Sequence, residues 1–210
     1  MKKIPRLFSK KREKHISKES IWVYEKNILE CAYIKIDGVP CLSIEGVLYK
    51  RFNRKLLRNK KRKPEPSHWI PSEAEPSEFE KNWYGWTIIT QKSCDKYYIK
   101  GLHNYIKSHN HKLSSGIYEL IGPKINNNPY KIEDYYLIPH CSHKVYIFVS
   151  YHSILNYFLT DSIGSVSEGL VFYGIGNRRA KVRRKDLGLE WPIVTKTIRK
   201  NKSIKSKDGD

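Results

Sequence analysis

Five short clusters in this chain join a charged side chain to a strand-like apolar run, and each offers chemistry toward an anion or a cation. Lys35-Ile36-Asp37-Gly38 supplies an amine that acts as a nucleophile once it is neutral. Arg51-Phe52-Asn53-Arg54 supplies guanidinium forks that match phosphate or sugar oxygens. Glu119 in Tyr118-Glu119-Leu120-Ile121-Gly122 and Glu168 in Glu168-Gly169-Leu170-Val171 supply the carboxylates that hard divalent cations prefer. Lys181-Val182-Arg183 supplies two cations side by side. Taken singly, each has an ordinary reading. Lys-x-Asp-Gly on its own is a hairpin with an exposed lysine, because Asp-Gly is a strong two-residue turn signal. A carboxylate at a strand end is usually solvated. The weight lies in the set and in its order along the chain.

Elements must hold these residues in place. Alternating or β-rich runs predict strands at 32–36, 39–44, 47–52, 85–90, 116–121, 135–138, 144–150, 169–173 and 180–183. Apolar residues recurring at three- and four-residue steps predict helices at 97–108 and 151–159. No internal repeat is present, so the class is α+β with antiparallel sheets dominating. Residues 35–38 are expected to close a tight hairpin between the first two strands. The Pro- and Glu-containing stretch 64–76 reads as a surface loop.

With 210 residues, 39% of them hydrophobic, the chain can bury one real core despite a mean hydropathy of −0.64. A single domain over 19–195 is expected, between a flexible basic arm at 1–18 and a flexible basic tail at 196–210. The net charge of +19 calls for an anionic partner, nucleic acid first. A membrane span is excluded by the lack of any apolar stretch near ~18 residues, and no signal-like segment follows the basic start. A soluble, intracellular protein is therefore expected. Cys31, Cys41, Cys94 and Cys141 lack the close spacing of zinc sites and read as scattered thiols. His103, His109 and His111 read as a solvated face rather than a metal site.

The ordered clusters resemble the motifs of the covalent nucleotidyltransferase superfamily, which contains DNA ligases, RNA ligases and mRNA-capping enzymes. Further runs sharpen the likeness: Trp69-Ile70-Pro71, Gly85-Trp86, 118–130 (YELIGPKINNNPY), Leu137-Ile138-Pro139-His140 and 187–192 (LGLEWP). Together they resemble the eukaryotic, vertebrate-type ATP-dependent 5′-to-3′ RNA ligase family over most of the chain. The resemblance implies an α+β nucleotidyltransferase domain, an ATP-grasp-like ligase adenylation fold of antiparallel sheets with flanking helices and no OB domain. Lys35 would be the nucleophile that takes AMP from ATP. Such an amine must be neutral, whereas free lysine titrates near ~10.4, and cationic neighbours help to deprotonate it. Asp37, Gly38, Arg51, Glu119, Lys181 and Arg183 would bind the nucleotide. Glu168 would hold Mg²⁺ or Mn²⁺, with Glu119 on either the metal or the ribose. An apolar slot near Ile34 and Val171 would take adenine. Arg54, Lys60, Lys61 and Arg62 would hold the RNA, whose ends are a 5′-phosphate and a 3′-hydroxyl. No membrane and no protein partner are implied.

Two positions depart from the family pattern: Val39 stands where many members carry Thr or Ser, and Arg183 where a second lysine is common. Two rivals remain. A DNA ligase or capping guanylyltransferase would add an OB domain, and only 27 residues follow Arg183. A catalytically inactive basic RNA-binding protein is the other, although all five cluster residues are retained and no RNP-type or zinc-knuckle signature is present.

Overall fold

The computed structural model describes residues 4–9, 14–23, 29–55, 61–77 and 80–193. Among the described residues ten strands are formed: β1 (Leu29–Lys35), β2 (Val39–Ile44), β3 (Val47–Lys55), β4 (Ile70–Pro71), β5 (Asn82–Ile88), β6 (Gly116–Ile121), β7 (Tyr136–Pro139), β8 (Lys144–Phe148), β9 (Gly169–Tyr173) and β10 (Arg179–Arg183). Two α-helices join them, α1 (Lys96–His109) and α2 (Tyr151–Thr160). Among these ten strands all pairing is antiparallel, in two sheets with orders β10-β9-β1-β8 and β4-β5-β3-β2-β6-β7. The fold is the expected α+β class.

Alternation explains the four-stranded sheet. Ala32, Ile147, Leu170, Phe172, Ala180 and Val182 turn to one side and are buried with Ile154 and Phe158 of α2. Helix α2 starts cleanly because the Ser150 hydroxyl accepts the Ser153 N–H at 3.0 Å, satisfying a donor the first turn would leave unpaired. The six-stranded sheet has a second core of Cys41, Leu48, Tyr118, Leu120 and Leu137, closed by Tyr105 of α1.

The expected hairpin at residues 35–38 is not formed. β1 and β2 lie in different sheets, so Ile36, Asp37 and Gly38 carry the chain across from one to the other. A type I′ turn needs positive φ at both central residues, and neither Asp37 nor Gly38 has it. That conformation belongs to the next connection, Glu45 (φ 50°) and Gly46 (φ 83°), which joins β2 to β3. Gly38 is needed for a different reason. A Cβ there would stand 2.7 Å from the Leu120 carbonyl oxygen and 2.9 Å from Glu119 Cβ, so only glycine lets the crossing strand run this close to β6.

The described part of the 1–18 arm is also corrected. Leu7 and Phe8 belong to the first core, with 0% and 5% exposure, and burying each is worth ~1.5–3 kcal/mol. The Leu7 N–H donates to the Lys181 carbonyl (2.7 Å) and the Lys181 N–H to the Pro5 carbonyl (2.9 Å), so this segment seals the free edge of β10. The charged residues around it hid the apolar anchor. Likewise the stretch 64–76 contributes β4, which pairs with β5. The tail 196–210 lies outside the described residues. No described helix is long and apolar enough to cross a membrane. All four cysteines are free.

Candidate active site

Sheet pairing delivers the charged residues to one place. β1 ends at Lys35, directly opposite Gly169 of β9, so Lys35 stands beside Glu168. β9 in turn pairs with β10, setting Lys181 opposite Val171. From the other sheet, β2 pairs with β6 and sets Glu119 opposite Pro40. Between these strands is a cavity of about 500 Å³, within the range of sites that enclose a nucleotide-sized ligand. Lys35, Gly38, Arg51, Glu119 and Lys181 line it, as do Ile34 and Val171. Ile4, Tyr33, Tyr84, His140 and Tyr173 complete much of the wall.

The Lys35 ammonium donates to Glu168 Oε2 at 2.5 Å and to the Ile36 carbonyl at 3.4 Å. Burial pushes the Glu168 carboxyl above its ordinary value, and the Lys35 charge only partly opposes this. Lys181 is shifted the other way: burial, then the charges of Arg183 and Lys35, lower its ammonium below the usual lysine value. The floor of the site therefore concentrates positive charge that burial makes costly, an arrangement that an anionic ligand would relieve.

Glu119 is 9% exposed. Its Oε1 accepts a hydrogen bond from His140 Nε2 at 2.8 Å, whereas Oε2 is buried with no partner among the described residues. A buried carboxylate oxygen left unpaired is costly, and this one lies beside Gly38 at the cavity wall. Arg51 stacks over the Tyr84 ring at 4.4 Å from its centroid, which holds the guanidinium at the rim.

Other predicted site residues serve within the chain. Asp37 does not line the cavity. Its carboxylate accepts Trp191 Nε1–H (2.7 Å) and Asn126 Nδ2–H (2.8 Å), while its N–H donates to the Tyr130 hydroxyl (2.6 Å). Asn126 also donates to the Gly38 carbonyl at 3.1 Å. The crossing that carries Lys35 into the site is thus tied down by residues from 118–130 and 187–192, both distant in sequence. Arg183 is held in a fork by Asp186 (3.0 and 2.8 Å), which keeps it charged and directs it at that carboxylate rather than the cavity. Arg54 is bound by the Lys63 carbonyl and Glu65, and Arg62 by the Glu80, Pro76 and Ser77 carbonyls, so both brace the surrounding loop. Lys61 is exposed, and Lys60 lies outside the described residues. Ile34 touches the cavity but packs mainly toward the first core, leaving Val171 as the apolar residue on the Lys35 side.

Sequence reasoning assigned no role to His140, Asn126, Tyr130 or Trp191. Their signal was present, since all four sit in the runs that carry the family likeness. A run that packs onto the active-site crossing carries no local pattern of its own.

Two carboxylates, one with an unpaired oxygen, are a suitable donor set for a hard divalent cation. Among the described residues no group of three or more His, Cys, Asp or Glu could form an all-protein cage. Mg²⁺ does not need one, because it is commonly held by one or two carboxylates plus substrate phosphates.

A family model described as RNA ligase 1 matches residues 102–208. The matched span contains Glu119, His140, Glu168, Lys181 and Trp191, and it includes β8 and β9, the two strands that flank β1 and Lys35. No curated protein matches the chain.

Proposed function

Because the chain belongs to the RNA ligase 1 family, we propose that it joins RNA 5′-phosphate and 3′-hydroxyl ends with ATP, carrying AMP on Lys35. The observation behind this reading is the placement of Lys35 against a buried carboxylate, in a nucleotide-sized cavity whose wall also carries Glu119 with its unpaired oxygen.

In the first step Lys35 Nζ attacks the α-phosphorus of ATP. A P–N bond forms, the bond from the α-phosphorus to its bridging oxygen breaks, and diphosphate leaves. Glu168 already accepts a hydrogen bond from Lys35 and its carboxyl is raised by burial, so it is placed to take the proton the amine must lose. Lys181, on the same wall, faces the charge on the departing diphosphate. Mg²⁺ or Mn²⁺ bound at Glu168 and Glu119 would neutralise phosphate charge. In the second step an oxygen of the RNA 5′-phosphate attacks the AMP phosphorus, the P–N bond breaks and Lys35 is restored. In the third step the 3′-hydroxyl attacks the activated 5′-phosphate, forming the phosphodiester and releasing AMP. Arg51 at the rim is positioned for the ribose or the incoming strand, and the Asp37 ties hold the crossing that sets Lys35 beside Glu168.

The test is a joining assay with purified protein, Mg²⁺, ATP and RNA carrying a 5′-phosphate and a 3′-hydroxyl, run beside nicked DNA and beside GTP. Joined RNA with release of AMP is the expected result. Joining confined to DNA, or label taken up from GTP alone, would move the chain to another branch of the superfamily. RNA binding with neither joining nor label would identify an inactive binding protein.

A further inference from the structure

The side of the four-stranded sheet that faces the cavity extends beyond it. Register places Lys144 opposite Tyr33 and Tyr146 opposite Cys31, while Phe148 is two residues further along β8. On the other side of β1, Val171 is opposite both Tyr33 and Lys181, and Tyr173 is opposite Arg179. Directly paired residues share a face, so Lys35, Tyr33, Tyr173, Lys144, Tyr146 and Phe148 belong to one continuous surface. The alternate residues of the same strands form the core.

A solvated sheet face is normally polar. Here Tyr146 is 61% exposed and Phe148 55%, on a strand at the edge of its sheet. Large apolar side chains exposed on an edge strand are an association hazard unless something uses them. Basic groups are interleaved with these rings. Lys144 Nζ lies 5.3 Å from the Tyr146 ring centroid, and Arg179 stands beside Tyr173. Tyr33 and Tyr173 meet edge to face at 5.5 Å and carry the aromatic strip into the cavity wall.

We propose that this face is the track for a single-stranded end of the RNA substrate, with bases stacked on Tyr146 and Phe148 and phosphates neutralised by Lys144 and Arg179. The inference rests on the joining reaction proposed above, which requires an RNA end to reach Lys35. Aromatic faces interleaved with cations suit unpaired bases, which offer a π-face regardless of sequence, and do not suit a closed duplex. The chain's charge of +19 complements such a strand. Tyr146 and Phe148 lie level with positions four and six residues from Lys35 along β1, roughly 14 and 20 Å at strand spacing, so a few nucleotides bridge the track and the nucleophile.

The experiment uses the full chain and a fluorescent 5′-phosphorylated single-stranded RNA, with affinity read by anisotropy. Label uptake from α-labelled ATP without RNA reports separately on the Lys35 site. Tyr146→Ala combined with Phe148→Ala should weaken RNA binding at least ~25-fold, about fivefold per lost stack, with ATP labelling intact. Tyr146→Phe combined with Phe148→Tyr keeps both rings and should bind within about twofold of the parent. Unchanged affinity in the alanine pair would overturn the proposal. So would a parent dimer that the alanine pair converts to monomer at constant RNA affinity, because the face would then be a contact between two copies. Failure of the parent to take up label would instead count against the joining mechanism, while the binding arm still reads the face.

Discussion

Two lysine–carboxylate pairs lie in this molecule under nearly the same cover. Lys35 and Glu168 have side-chain exposures of 24% and 10%, and Lys50 and Asp95 have 23% and 1%. The pairs differ in what surrounds the carboxylate. Asp95 is bonded by Lys50, by the Thr90 N–H at 2.9 Å and by the Thr90 hydroxyl at 3.0 Å. Burial alone would raise its carboxyl, but these bonds outweigh burial and hold it below the ordinary value. Glu168 has one side-chain donor among the described residues, Lys35, so burial wins and its carboxyl is raised. Saturation with hydrogen bonds separates a carboxyl held below its ordinary value from one that burial raises above it.

The largest effect expected from this contrast is on chemistry. Glu168→Gln removes the proposed proton acceptor and cation ligand, and should lower RNA joining ~10²–10³-fold, within the range for loss of a general base. Asp95→Ala should leave joining per folded molecule within about twofold. A comparable loss in both variants would erase the distinction.

In stability the order reverses. Breaking the Lys50–Asp95 pair should cost about 3 kcal/mol, the low end for a buried pair because Lys50 keeps some contact with water. For a chain of this size that is a fall in Tm of roughly 6–12 °C by calorimetry.

The two carboxyls also titrate with opposite sign. Glu168 is raised, so the folded chain binds its proton more tightly than the unfolded chain, and ionisation removes stability as pH climbs from the ordinary glutamate range through the raised value. Glu168→Gln never ionises. Its stability relative to the parent should therefore grow across that window and level off above it. Asp95 is lowered, so its contribution is present above the ordinary aspartate range and is lost as pH falls through the lowered value. The gap between Asp95→Ala and the parent should close in acid. Denaturant melts at several pH values check both slopes.

How much of this could be read from the chain differs from element to element. The 116–121 and 169–173 strands were legible because a short apolar run next to a polar residue is a local signal, and both form as β6 and β9. The Lys35–Gly38 crossing was not. Asp-Gly is locally a turn, and the switch between sheets is set by β8 and β9, far along the chain, which occupy both edges of β1 and leave none for β2. Leu7 and Phe8 were masked by flanking charge. For the site, charge type and motif order were enough to pick out Lys35, Arg51, Glu119 and Lys181, which share the cavity wall. They did not reveal that Arg183 is engaged by Asp186, that Asp37 is a tie point, or that Lys50 has a partner as close as that of Lys35. Side-chain pairing across sheets leaves no mark on spacing.

The smallest effect tests Arg62, one of the residues expected to hold RNA. Arg62 donates to three backbone carbonyls of its own loop region, so Arg62→Ala should loosen that region while leaving the salt slope of RNA binding unchanged. A phosphate contact would instead reduce the slope by about one.

The most direct measurement is to locate the AMP. Protein incubated with ATP and Mg²⁺ would be denatured and digested, and the modified lysine identified by mass spectrometry, beside Lys35→Met and Lys50→Met variants. AMP is expected on Lys35 in the parent and in Lys50→Met, and none in Lys35→Met. AMP retained in Lys35→Met, or found on Lys50, would contradict the assignment to Lys35.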